Sequence, residues 1–183
     1  MKKFIIDTFL SILSIGYPIL YLLHWQGSDF FSFWLYAMIA MWGLKAIFSP
    51  LKNTKIFALL MITLLCIVIL NQKLELMYFY PIAINSIMLI IFASSLFQNQ
   101  SFVEKIARLS NPDLPDEGVI YTRRVTQAWV VFFSLNILVS LILIQLKAFN
   151  LWAIYNGFIS YILMGALFII EYIIRQRVIK NNV

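Results

Sequence analysis

Six long apolar runs, separated by short polar or charged breaks, dominate the chain. They cover about Phe4–Leu23, Phe30–Phe48, Ile56–Leu70, Leu76–Phe97, Gln127–Leu146 and Leu151–Ile174. A helix needs roughly 20 mostly apolar residues, within a range of about 17–25, to cross the hydrocarbon of a bilayer. Each run meets or nearly meets that length. The third is the shortest, and it continues through Asn71 and Gln72 before reaching Lys73; tilt or local thinning accommodates it. Pro18 and Pro81 fall inside runs, where neighbouring helices satisfy the carbonyls that a proline frees. The expected fold is all-α: one polytopic integral membrane domain over residues 1–183 with six transmembrane helices.

The break between the fourth and fifth runs, residues 98–126, is the long one. Ser101 followed by Glu104 spells a capping box. Phe102, Val103, Ile106 and Leu109 then recur at helical spacing, with Glu104, Lys105 and Arg108 on the other side. Asn111-Pro112 stops the pattern, and NPDLPDEG is turn chemistry. The segment predicts a short amphipathic helix at the membrane surface between helices four and five.

Charge orients the helices. With a cytoplasmic N-terminus, the inner side holds Lys2, Lys3, Lys45, Lys52, Lys55, Lys105, Arg108, Arg123, Arg124, Arg175, Arg177 and Lys180. The outer side holds only Lys73 and Lys147. Twelve against two is a strong positive-inside asymmetry, and it places both termini in the cytoplasm. Trp25, Trp34 and Trp152 fall near the outer boundary and Trp42 and Trp129 near the inner one, as aromatic belts do. Asp7 interrupts the first apolar run and no clean small-residue cleavage site follows, so an uncleaved first helix is expected rather than a signal peptide.

Composition agrees with this layout. Of 183 residues, 62% are hydrophobic and 12% charged, whereas a soluble domain has about 45–50% and about 25%. The net charge of +6 would make nucleic acid a candidate partner for a soluble protein. Here the cations lie between apolar runs and serve topology, so no nucleic acid is expected and membrane lipids are the first partners. The lone Cys66 excludes an internal disulfide and the lone His24 a His-rich metal site. Walker A, GxSxG, GxGxxG, HExxH and CxxC motifs are all missing, and no cofactor or metal is expected. The His24–Asp29 spacing resembles an acyltransferase HxxxxD, but in a short outer loop it reads as coincidence.

Polar residues inside apolar spans are expensive, so each is paired or functional. Asp7 and Lys45 lie at matching depths, and structural ion pairing between neighbouring helices is the simpler reading. In the sixth helix Asn156, Ser160, Leu163, Leu167 and Glu171 fall on one stripe at 100° per residue. Its ends are 15 residues, roughly 22 Å, apart. Ala153, Gly157 and Gly165 form a small-residue face beside it. Thr122, Trp129, Asn136 and Ser140 form a stripe on helix five, so the two stripes are expected to face each other and hydrogen-bond, Asn136 with a group on helix six. Near the cytoplasmic end Glu171 and Arg175 join Arg123, Arg124, Glu104 and Arg108 in a charged cluster. Such a cluster is either a structural network or an anion site for phosphate or carboxylate at headgroup depth.

Several motifs carry a resemblance: YP at Tyr80-Pro81, the surface helix, YTRRVT-x-x-W-x-x-FF-x-x-N from Tyr121 to Asn136, and YNG with E-Y-x-x-R from Tyr155 to Arg175. Over residues 78–177, and more weakly through SIGYPIL, the chain resembles a family of uncharacterised bacterial inner-membrane proteins. Lys105 stands where arginine is expected, with Glu104 and Arg108 in place. Genes of that family often lie in aryl-polyene or fatty-acid-like biosynthesis clusters, beside acyl carrier proteins, ketosynthases and acyltransferases. Members are sometimes labelled as a DNA gyrase component, which the missing phosphate-binding motif opposes. The resemblance implies a genomic setting and not a mechanism; the charged cluster together with that setting leads to the expectation of a non-catalytic accessory protein that binds or positions an acyl or lipid intermediate. Its candidate ligand-binding residues are Glu104, Arg108, Arg123, Arg124, Asn136, Asn156, Glu171 and Arg175, with acyl carrier protein or acyltransferase partners. A small transporter or flippase for a lipid-like substrate, and a membrane enzyme using Glu171, are the alternatives.

Overall fold

The computed structural model describes residues 2–23, 29–50, 52–71 and 74–180, and all regular structure among them is helical. The helices are α1 (Lys2–Leu22), α2 (Asp29–Phe48), α3 (Lys52–Asn71), α4 (Tyr80–Ser95), α5 (Phe102–Ser110), α6 (Asp116–Gln145), α7 (Phe149–Ile154) and α8 (Ser160–Lys180). A 3-10 segment, Leu74–Phe79, leads into α4, and a π turn, Tyr155–Ile159, joins α7 to α8. Five stretches are long and apolar enough to cross a membrane: Phe31–Phe48, Thr54–Asn71, Glu75–Ser95, Asp116–Gln145 and Phe149–Arg175. The apolar described part of α1, Thr8–Leu20, is shorter.

Helical periodicity decides which faces pack. On α2 the buried residues are Phe31, Leu35, Met38 and Trp42, and on α3 they are Ala58, Met61, Leu65 and Val68. Both sets follow a three-to-four-residue spacing that aligns side chains on one stripe. They meet α1, the 3-10 segment and α7 in the larger of two cores, where Tyr78 stacks on Phe149 and Trp152 is fully buried. The smaller core is aromatic: Phe92 of α4 with Trp129 and Phe133 of α6, joined by Phe102 from α5. Outside these stripes the helices expose apolar side chains such as Phe33, Ile47, Leu70 and Ile162. Apolar residues on all faces are what a lipid-solvated helix presents.

Local details refine this layout. Pro81 lies inside the apolar span Glu75–Ser95, in the first turn of α4, where a missing N–H costs little. Pro18 is inside α1, buried against Gly157. Trp42, Trp129 and Trp152 are buried between helices, where their rings fill interhelical gaps. The Trp34 Nε1–H donates to the Leu13 carbonyl of α1 at 3.0 Å, and Trp25 lies outside the described residues. So do His24 and the side chains of Asp7 and Asp29, while the Lys45 ammonium sits 5.4 Å over the Trp42 ring. Helix α6 begins at Asp116, ahead of its apolar run, and its 30 residues reach about 45 Å, beyond the roughly 30 Å of membrane hydrocarbon. It ends in a Schellman motif: Ala148 N–H donates to Leu143 and Lys147 N–H to Ile144, with Lys147 at φ 54°. That turn sets α6 and the α7–α8 segment side by side.

Candidate functional site

Two polar rungs tie α6 to its partner. At one end the Tyr155 hydroxyl donates to Asn136 Oδ1 (2.7 Å) and the Ser140 hydroxyl to Asn156 Oδ1 (3.0 Å), while Asn156 Nδ2 donates to the Trp152 carbonyl. At the other end the Tyr121 hydroxyl donates to the Glu171 carbonyl at 2.9 Å. Tyr121 and Asn136 are 15 residues, roughly 22 Å, apart along α6. The sequence predicts a polar contact between the asparagine stripes, and Thr122, Trp129, Asn136 and Ser140 are all buried as that stripe requires. Tyr155 and Tyr121 escape a reading of the sequence, since neither lies on a stripe drawn from polar residues alone.

Between the rungs the helices enclose a groove of about 1050 Å³. The aromatic core of α4 and α6 lines one side and α8 the other; α5 and the segment after it cover the end near Tyr121. Helices α4 and α8 make little or no direct contact, which leaves the groove partly open between them. The α8 wall passes through Tyr161, Met164 and Phe168, with Phe168 against Trp129 at 4.7 Å between ring centres. Leu163 and Leu167, placed on this face at uniform helical spacing, do not line it: Leu163 is exposed and Leu167 packs on the aromatic core. The π turn is the cause. It admits one extra residue, so positions beyond it advance by one. Ala153 and Gly157 do serve close packing, with Pro18 3.4 Å from where a Gly157 Cβ would stand, whereas Gly165 faces nothing within 4 Å.

The chain matches no protein-family model, no curated protein and no solved structure. Its site is therefore read from its own geometry.

The eight candidate residues divide into three groups. Asn136, Asn156, Glu171 and Arg175 line the groove. Glu171 and Arg175 form an i,i+4 pair at its mouth, with Arg175 Nε 3.7 Å from Glu171 Oε1 and the guanidinium half-exposed. Glu104 and Arg108 stand outside the lining and build α5. Glu104 is buried; its carboxylate accepts from the Ser101 N–H and, at 2.9 Å, from Arg108 Nε, completing the capping box. Arg108 also donates to the Pro112 carbonyl, which fixes the following turn. The hydrophobic pattern predicts Glu104 on the outward side of α5, yet the reciprocal cap turns it inward. Arg123 and Arg124 are exposed on α6, and Arg123 donates to the Leu96 carbonyl at the end of α4.

The remaining α5 donors are also met. Ser95 Oγ accepts from the Phe102 N–H and Thr126 Oγ1 from the Val103 N–H, so the helix is strapped to α4 and α6. Ile106 and Ala107 then face the groove. Asn85 is a further lining residue that the candidate set omits, although an amide inside an apolar run carries the same signal as Asn136. The groove thus has apolar walls, a charged pair at one end and amides and hydroxyls at the other, an arrangement suited to an elongated amphiphile.

Proposed function

We propose that the protein is a six-span inner-membrane protein of bacteria with both termini cytoplasmic. In this reading α5 lies at the inner surface and the groove between α4, α6 and α8 holds a long-chain acyl or lipid intermediate for partner enzymes. The observation that carries the reading is the groove itself. Protein interiors are close-packed with few voids larger than a water, and about 1050 Å³ of mostly apolar space opening between lipid-facing helices is filled by a chain. Its length, roughly 22 Å between the rungs, exceeds the ~15 Å that one leaflet contributes to the hydrocarbon, so it suits an extended chain.

Arg175 gives the ligand a head position. One nitrogen of its fork faces Glu171, and the terminal nitrogens donate to none of the described residues, leaving them for a carboxylate or phosphate. Glu171, the one acid among the described lining residues, is engaged by Arg175, which favours holding over acid–base chemistry. The cross-bonded asparagine stripe likewise favours holding over passage between α6 and the α7–α8 segment. Acyl carrier protein or an acyltransferase at the cytoplasmic face are the partners this reading implies.

Filling the groove tests it. Met164→Trp should weaken binding of a fluorescent fatty acid to the purified protein by about tenfold or more. Ile162→Trp, on the exposed face of the same helix, should leave binding unchanged. Equal affinity of the two variants overturns the reading. Ligand movement across reconstituted vesicles would replace it with the transporter alternative.

A further inference from the structure

The end of the groove away from Arg175 is more polar than a hydrocarbon tail requires. Asn136 is 3% exposed, and its Oδ1 is taken by Tyr155, while its amide nitrogen donates to none of the described residues and borders the groove. Across from it, Asn85 Nδ2 donates back to the Pro81 carbonyl at 2.8 Å, which leaves Oδ1 turned to no described partner. The Tyr161 hydroxyl, on the α8 wall, also meets none. These three residues come from three helices and border one space. Asn136 is buried, Asn85 half-buried and Tyr161 36% exposed, so their free polar atoms face open space. Leaving such a group against lipid tails, which offer no hydrogen bond, costs about 1–3 kcal/mol when water is excluded. A chain ending in a methyl group leaves all three groups unsatisfied.

We infer that the groove takes an amphiphile with hydrogen-bonding groups at both ends: an anionic head beside Arg175, and a hydroxyl or carbonyl on the far end of the chain beside Asn136, Asn85 and Tyr161. The inference rests on the function proposed above and adds the chemistry of the ligand's distal end. A donor-acceptor group such as a hydroxyl matches the set, because it accepts from the Asn136 amide and donates to Asn85 Oδ1. Selectivity follows from the same geometry. A site built to hydrogen-bond a hydroxyl disfavours the analogue that lacks it, since its own polar groups are then left bare.

Two probes of equal length and identical head test this: octadecanoic acid and its ω-hydroxy counterpart, each competing with a fluorescent fatty acid for the full-length protein in detergent. The ω-hydroxy acid should bind about tenfold more tightly. Tyr161→Phe, which removes one hydroxyl and no packing, should bring the ratio toward one, and Asn136→Leu should bring it further. Equal binding of the two acids by the wild-type protein overturns the inference, with water then satisfying the amides, and leaves the acyl-holding function standing. A preference that survives both variants overturns the assignment to these residues. If neither acid displaces the fluorescent probe, the proposed function itself falls.

Discussion

Gly16 shows how a single position sets the spacing of two helices. A Cβ built there would lie 2.5 Å from Trp34 Cζ2 and 2.9 Å from Cη2. The ring has little room to give way, because its Nε1–H is held by the Leu13 carbonyl one turn earlier on α1. Helix α1 therefore approaches α2 as closely as it does only because the residue has no side chain. Gly16→Ala should cost about 1–3 kcal/mol, the usual range for overpacking, seen as a lowered melting temperature in detergent. Adding Trp34→Leu should recover part of the loss; a Gly16→Ala protein as stable as wild type would mean the ring swings aside freely. At this scale the sequence is informative about residue type and poor about partners. An asparagine in an apolar span announces a hydrogen bond, but that Asn136 bonds Tyr155 depends on a helix register that local pattern does not fix.

Helix α5 and the π turn mark the limits of reading elements from spacing. The first is legible, because a capping box acts within four residues: Ser101 accepts from the Glu104 N–H and Glu104 from the Ser101 N–H, as the letters imply. Ser101→Ala removes the side-chain acceptor and should cost about 1 kcal/mol of helix stability. The expected readout is faster amide hydrogen exchange over residues 102–110 with the centre of α6 unchanged. Unchanged exchange in α5 would show that Ser95 and Thr126 hold its N-terminus without the cap. The π turn is not legible. Its extra residue has no local code, and it moves the α8 groove face from Leu163 and Leu167 to Met164 and Phe168. Uniform helical arithmetic fails beyond any such insertion, and irregular turns of this kind concentrate at functional sites. The groove shares that illegibility, since it is defined by where α4 and α8 fail to meet.

For the whole molecule, cation placement and helix geometry bear on the same question independently. Cations gather on one side in the arrangement proposed here, twelve against two, and the translocation machinery retains Lys- and Arg-rich loops in the cytoplasm. The contact of Tyr121, near the start of α6, with Glu171, near the end of α8, places those two ends on one side without reference to charge. The Schellman turn at Lys147 caps the opposite side. That same geometry puts Arg175 and α5 together at one end of the groove, so the side on which they emerge decides whether cytoplasmic enzymes can reach a bound head group. The lone Cys66 makes the side measurable, because Cys66→Ser leaves no background thiol. In that background, a cysteine replacing Lys147 should react with a membrane-impermeant maleimide added to intact cells. One replacing Gln98, between α4 and α5, should react only after the inner membrane is opened. The reverse pattern would put Arg175 and the groove mouth on the periplasmic face, out of reach of an acyl carrier protein, and would remove the reason for a cytoplasmic partner.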